Sequence, residues 1–152
     1  MITNATRLLQ LPLSASERST LRRLVAVMIP ASAQYNVPGA DDGAIFADIL
    51  RSIKRDREQV GHALRCLHDL AGAAFPGLPA DEQLAVIERF RRDQPEMANL
   101  LVSITVRCYY RDDRVMRSIG MEPRPPFPKG FEVEQGDWSL LDPVRAGPRI
   151  YR

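Results

Sequence analysis

Few side chains in this 152-residue chain have the type and spacing that chemistry requires. His62 and His68 are six positions apart, so on one helix they point in different directions and form neither an HExxH motif nor an i, i+4 metal pair. Cys66 is too close to His68, and nothing nearby completes the four ligands, or three with an open position, that zinc requires. The sequence therefore predicts no metal site.

The chain also lacks the short motifs that mark common enzyme sites. It contains no GxGxxG, GxxxxGKS/T, GxSxG or CxxCH sequence. The usual signs of nucleotide binding, acyl transfer and c-type haem attachment are therefore missing. We predict no catalytic residue and no cofactor on this chain.

The two cysteines, Cys66 and Cys108, lie in apolar, helix-like segments. We expect them to be buried thiols, and a disulfide between the two segments or to another chain remains open. Two cysteines are too few for a disulfide framework.

A tyrosine pair is the first candidate binding site. Tyr109 and Tyr110 end an apolar segment beside four charged residues, Arg107, Arg111, Asp112 and Asp113. Either the pair forms a contact surface for another protein, or one ring is in the core and the other covers the helix end, as amphipathic tyrosines often do.

The second candidate is the C-terminal segment FPKGFEVEQGDWSLLDPVR, which has no helical period. It contains Phe127, Phe131, Trp138 and Arg145, residue types that commonly anchor protein interfaces. Three alternatives are open: the segment folds back onto its own helices, lies on a partner chain, or is disordered. The high aromatic content argues against disorder.

The candidate residues must be positioned by helices, and several amphipathic segments have residues at their ends that are typical of helix beginnings and ends. Ser14 and Glu17 fit a capping box before the first apolar stripe, and Pro30 ends it. Asp41 or Asp42 can cap a second helix with a stripe from Ile45 to Ile53. Asp56 either caps a third helix or lies within a continuation of the second.

Three more helices are predicted before Gly120. The segment DEQLAVIERFRRD should form a fourth helix with Leu84, Ile87 and Phe90 turned inward. Pro95 suits the first turn of a fifth helix, which is apolar on nearly all faces and is therefore expected to be central. Asp112 can cap a short sixth helix.

These segments predict an all-α fold with short connections. We expect a small bundle of about five to six helices over residues 1–120, followed by a long irregular, proline-rich arm over residues 121–152. The arm should pack on a partner or on the domain. We also expect the helical part to fold without it.

The charge pattern argues against binding to nucleic acid. The formal net charge is only +2, and arginines alternate with acids in segments such as RSIKRDRE, as on a solvated helix face. No apolar run has the roughly 20 residues that span a bilayer, and MITNATRLLQLPLS lacks the apolar region of a secretory signal.

Three parts of the chain resemble the gluconate 2-dehydrogenase subunit 3 family, over roughly Leu13 to Asp142. They are LSASERSTLRRLVAVMIPAS, VPGADDGAIFADIL and RCYYRDDRVMRSIGMEPRPPFPKGFE. Family members have a similar tyrosine pair, a short helix with the pattern xIGY and a tail with the pattern FPxGY. The corresponding residues here are Tyr109-Tyr110, SIGM ending at Met121, and FPKGF from Phe127 to Phe131.

The resemblance implies a non-catalytic small subunit. In the family, this subunit binds a large flavoprotein of the glucose-methanol-choline oxidoreductase type, which carries FAD and oxidises a sugar or related alcohol. A multihaem cytochrome c subunit often accepts the electrons. The small subunit is thought to support folding, assembly and export of the large one.

The chain departs from the family in having no twin-arginine signal, which many relatives carry. The sequence therefore favours a cytoplasmic location, or a periplasmic one if a signal-bearing partner co-exports the chain. The alternative function is a stand-alone helical enzyme or ligand-binding protein with a pocket between helices, which would need polar groups that converge on an apolar cavity.

Overall fold

The computed structural model describes residues 12–123 and 134–147. Within these two ranges the protein is all-α, as predicted, and no strand is present; the one β-bridge, Ser32 to Val37, is isolated. The α-helices of the described residues are α1 (Ala15–Met28), α2 (Gly43–Ser52), α3 (Arg57–Ala71), α4 (Ala80–Asp93), α5 (Pro95–Tyr109), α6 (Asp113–Ser118) and α7 (Asp142–Ala146). Short 3-10 turns lie at Phe75–Gly77 and Trp138–Leu141.

Side-chain caps set the beginnings of three helices. The predicted capping box is present at α1: the Glu17 amide donates to Ser14 Oγ at 3.2 Å, and the Ser14 amide donates to Glu17 Oε2 at 2.8 Å. Asp42 caps α2 and Asp112 caps α6, each accepting from a backbone amide two residues further on. Such caps satisfy amides that have no partner inside the helix.

The second and third predicted helices are separate, so α2 does not continue into α3. Asp56 is at the N-cap position of α3, but its side chain makes no capping hydrogen bond. Gly120 follows α6 with φ of 77°, a conformation that glycine adopts without a Cβ clash. The Met121 amide then donates to the Met116 carbonyl at 2.9 Å and closes this helix end.

One apolar core joins α1 to α5. Its largest fully buried side chains include Leu21 and Leu24 of α1, Ile45 and Ile49 of α2, Leu64 and Leu67 of α3, Phe75, and Leu101 and Ile104 of α5. Val115 of α6 also belongs to it. The stripes predicted for α1 and α2 therefore contribute to the core.

The predicted inward face of α4 is partly wrong. Phe90 is buried and Ile87 packs against the core, but Leu84 is 54% exposed. The residue that turns inward is its neighbour Gln83, which is 1% exposed. A polar residue thus occupies the buried position because the surrounding loop needs its hydrogen bonds.

Helix α5 contacts α2, α3 and α4, which agrees with its predicted central position. It is nevertheless not surrounded on all sides. Val102, Val106 and Tyr110 remain exposed along one face.

Part of the predicted irregular arm forms helical turns. Asp137 accepts from the Ser139 amide at 3.0 Å before the turn Trp138–Leu141, and Pro143 occupies the first turn of α7. Every residue in the range 134–147 is exposed. The division into a domain over 1–120 and an arm over 121–152 stays a prediction. Among the described helices, none has the length and apolar character that crossing a membrane would need.

Candidate interaction surface

The tyrosine pair is divided between core and surface. Tyr109 is buried, and its hydroxyl donates to the Pro38 carbonyl at 3.1 Å. Tyr110 is 51% exposed, and its ring packs edge-on against Tyr109 with the centroids 5.4 Å apart. Burial raises the pKa of the Tyr109 phenol. Tyr109 is therefore a core residue, while the ring of Tyr110 is accessible at the surface.

Arg111 follows the tyrosines and fixes the end of α5 to α2. Its guanidinium donates to Asp48, with Nε 3.0 Å from Oδ2, and to Ser52 Oγ at 3.2 Å. Partial burial is the largest single influence and would raise the pKa of Asp48, but the hydrogen bonds and charge of Arg111, together with hydrogen bonds from Arg51 and Cys108, outweigh it, and the net pKa is lowered. Asp48 is thus ionised and already paired.

Cys108 lies beneath this ion pair. Its thiol donates to Ser52 Oγ at 3.3 Å, and burial raises its pKa. A reactive cysteine needs a lowered pKa and access to solvent. Cys108 has neither, so its position is that of an inert buried thiol. Cys66 is also free and partly buried, and no disulfide joins the two.

A second ion pair fixes α6 to the beginning of α2. Arg114 donates to Asp42 Oδ1 at 2.7 Å and to Asp112 Oδ2 at 2.9 Å. Its hydrogen bonds lower the pKa of Asp42 from 3.8 to about 2 and also lower the pKa of Asp112. One guanidinium therefore bridges the N-caps of two helices.

These charges border a cleft of about 400 Å³. Asp48, Arg51, Arg111 and Arg114 line it. Each of the three guanidinium groups already bonds a carboxylate of the same chain. The cluster therefore connects α2, α5 and α6, and among the described residues that line the cleft no charged side chain is left unpaired for a small ligand.

The histidines do not converge on a site. His62 and His68 are both exposed on α3. In the part of the chain that the structure describes, no group of three or more His, Cys, Asp or Glu side chains is arranged to hold a metal ion.

The described part of the arm carries exposed apolar residues. Trp138 is 61% exposed, and Leu140, Leu141 and Val144 are exposed around it. The Trp138 indole Nε1 donates to Gln135 Oε1 at 2.9 Å, and Arg145 pairs with Asp142 at 3.5 Å. Of the predicted partner-binding residues, Phe127 and Phe131 lie outside the described residues. The site prediction as a whole stays a prediction.

The exposed face of α5 was not predicted from the sequence. Val102 is 43% exposed and Val106 is 38% exposed, one turn apart, and Tyr110 follows one turn later. The only signal in the sequence was indirect: a helix with apolar residues on nearly all faces must leave some of them exposed if its neighbours cover less than its full circumference.

Comparison of the chain with family models, with curated proteins and with solved structures finds no match.

Proposed function

We propose that this chain is a non-catalytic accessory subunit that binds a FAD-dependent dehydrogenase of the glucose-methanol-choline type and supports its folding and assembly. The observation that carries the proposal is the set of exposed apolar side chains on residues 134–147. Trp138, Leu140, Leu141 and Val144 lie within seven consecutive residues. Exposed apolar patches of this kind mark interaction sites.

The local structure suits a binding segment. The Asp137 cap and the Trp138–Leu141 turn order the backbone around the indole, so less conformational freedom would be lost on binding. Each large apolar side chain that becomes fully buried contributes roughly 1.5–3 kcal/mol. Arg145 is exposed beside these residues and can pair with a carboxylate at the rim of an interface.

The kind of partner comes from the resemblance alone. The tyrosine pair and the segment after α6 are similar to the gluconate 2-dehydrogenase subunit 3 family. We accordingly propose that FAD is held by the partner, and that a cytochrome c accepts electrons from the complex. We propose a cytoplasmic location for that complex, or a periplasmic one if the partner carries an export signal.

A pocket-based function has less support. The cleft between α2, α5 and α6 is bordered by arginines and aspartates that bond one another. A ligand would have to displace these ion pairs, which would leave the partly buried carboxylate of Asp48 without its compensating charge.

Co-expression with the product of a neighbouring flavoprotein gene tests the proposal. We expect the two chains to purify together with flavin absorbance in the complex. Trp138→Ala combined with Leu141→Ala should weaken the complex at least about tenfold, since burial of one large side chain corresponds to that factor or more. Tyr35→Ala is the matched control, because Tyr35 is an exposed ring on the Ser32–Val37 loop.

Two results would contradict the proposal. One is separate elution of the chain and the flavoprotein at micromolar concentrations. The other is a stoichiometric flavin retained by the isolated chain, which would make it a flavoprotein itself. An equal loss of binding in Tyr35→Ala would show that the arm is not the specific contact.

A further inference from the structure

Helix α5 presents an exposed face that carries no charge. We call this the α5 outer face: it consists of Pro95, Asn99, Val102, Ser103, Val106 and Tyr110, all of which are exposed. A solvent-facing helix surface normally carries charged residues. Here a 15-residue helix has an uncharged one, and Val102, Val106 and Tyr110 make it apolar along its length.

One edge of this face has a particular charge arrangement. Glu96 lies near the N-terminal end and Arg107 near the C-terminal end. They are 11 residues apart. On an α-helix this spacing is three full turns plus about 20° around the axis, and about 16 Å along it. Both therefore lie on the same edge. Within residues 12–123 and 134–147 neither side chain makes an ion pair or a side-chain hydrogen bond.

The α5 outer face is self-complementary when two helices run antiparallel. A two-fold axis between Val102 and Ser103 places Tyr110 of one copy opposite Pro95 of the other, and Val106 opposite Asn99. In an antiparallel pair, the same edges of the two helices face each other. Glu96 of one copy then lies within one turn of Arg107 of the other, and the symmetry forms this pair twice.

We propose that the α5 outer face binds a second copy of this chain in an antiparallel, two-fold dimer. Two-fold dimers are the commonest closed oligomers, and each uses one surface patch on both subunits. The small side chains of Asn99 and Ser103 allow the helices to approach closely. A parallel arrangement would instead place the two charged edges on opposite sides of the contact, where Glu96 and Arg107 cannot pair, so the charges favour the antiparallel one. Trp138 and its neighbours remain free for the flavoprotein.

Sedimentation of the full-length chain over a range of concentrations tests the dimer. We expect a concentration-dependent monomer–dimer equilibrium. Val106→Glu should raise the dissociation constant at least about tenfold, because at two symmetric positions a carboxylate would be buried against Asn99 of the other copy without a partner. Leu84→Glu is the matched control: it places the same charge at an exposed leucine on α4 and should leave the equilibrium unchanged. Circular dichroism verifies that both variants fold.

A charge exchange tests the orientation. Glu96→Arg and Arg107→Glu should each weaken the dimer roughly threefold to tenfold, since each single change creates two like-charge contacts. The double variant should restore the wild-type dissociation constant, because the pairs are re-formed with reversed sign. If Glu96 and Arg107 only stabilised the fold of their own chain, the double variant would not restore the dissociation constant.

Three outcomes overturn the inference: a chain that is monomeric at every concentration, a dimer that tolerates Val106→Glu, and a double variant that is no tighter than the single ones. If the chain is monomeric and Val106→Glu instead weakens the flavoprotein complex, the α5 outer face binds that partner. The dimer would then be wrong while the proposed function would stand.

Discussion

The buried amide of Gln83 shows how a single polar residue can hold a loop in place. Its Oε1 accepts from Arg23 Nε at 2.7 Å, and its Nε2 donates to the Leu78 carbonyl at 2.9 Å and to the Phe75 carbonyl at 3.3 Å. These bonds connect α1, the Phe75–Gly77 turn and α4. No buried side-chain polar atom in the described residues lacks a partner, as folded proteins require.

Replacement of Gln83 by Leu should lower the free energy of unfolding by about 1–3 kcal/mol. The new side chain has a similar size, but it leaves the partly buried Leu78 carbonyl without a donor and Arg23 Nε without its acceptor, and the Phe75 carbonyl keeps only the Leu78 amide. Urea denaturation at neutral pH measures the effect. The control is Leu84→Ala on the same helix, which should change stability by less than about 0.5 kcal/mol because Leu84 is exposed. Equal stabilities of the two variants would contradict the role given to Gln83.

These two neighbours also show the limit of prediction from sequence at this scale. A hydrophobic period places Leu84 inward and ignores Gln83, because it counts apolar residues only. The actual inward positions of α4 include Gln83, Ile87 and Phe90. Gln83 is turned inward because its amide bonds the loop carbonyls of Phe75 and Leu78. No pattern in the sequence identifies these carbonyls as buried.

At the scale of elements, the N-caps of α2 and α6 do more than begin helices. Asp42 and Asp112 each accept from a backbone amide of their own helix and from Arg114. From local spacing the sequence predicted the Asp112 cap and left Asp41 and Asp42 as alternatives for the cap of α2. It did not predict that one arginine would join them, since Arg114 is 72 residues from Asp42.

Because of the Asp42–Arg114 pair, the free energy of unfolding should depend on pH in the acid range. The pKa of Asp42 is about 2, below its ordinary value of 3.8. The stabilisation from its carboxylate is therefore complete above about pH 4 and is lost as pH falls through about 2. Asp42→Asn keeps a capping oxygen but removes the charge. It should lower the free energy of unfolding at pH 7 by no more than about 1 kcal/mol. The effect is small because the pair is partly exposed and solvent screens the attraction between its charges.

Urea denaturation at a series of pH values between 2 and 7 measures this linkage. The difference between wild type and Asp42→Asn should shrink towards zero at the acid end. Asp113→Asn is the control, because it removes an exposed ion pair within α6, the Asp113–Arg117 pair, and should have little effect at any pH. A constant difference for Asp42→Asn across the range would show that its ionisation is not linked to folding.

At the scale of the whole molecule, the features predicted correctly are those that local physics determines. The all-α class and the caps of α1 and α6 follow from patterns a few residues long, and such a pattern limited the cap of α2 to Asp41 or Asp42. The separation of Tyr109 from Tyr110 was open in the sequence, because it depends on the Pro38 carbonyl 71 residues away. The α5 outer face was hidden for the same reason: neighbours distant in sequence decide which part of a helix they cover.

The position of the core along the chain leads to a prediction about the arm. The buried apolar residues of the described ranges lie between Leu13 and Val115, and every residue of 134–147 is exposed. A chain that ends after Pro123 keeps this core and the Met121–Met116 hydrogen bond that closes α6. We therefore expect it to retain a cooperative thermal transition within a few degrees of the full-length chain, measured by circular dichroism.

The same truncated chain should fail to purify with the flavoprotein, because it lacks Trp138 and the exposed apolar residues around it. Its concentration-dependent dimer should persist, since the α5 outer face is intact. The full-length Leu84→Glu variant is a suitable reference, because it keeps both surfaces. Loss of the cooperative transition on truncation would show that the arm completes the core. The apolar side chains of the arm would then serve the fold of this chain rather than a partner.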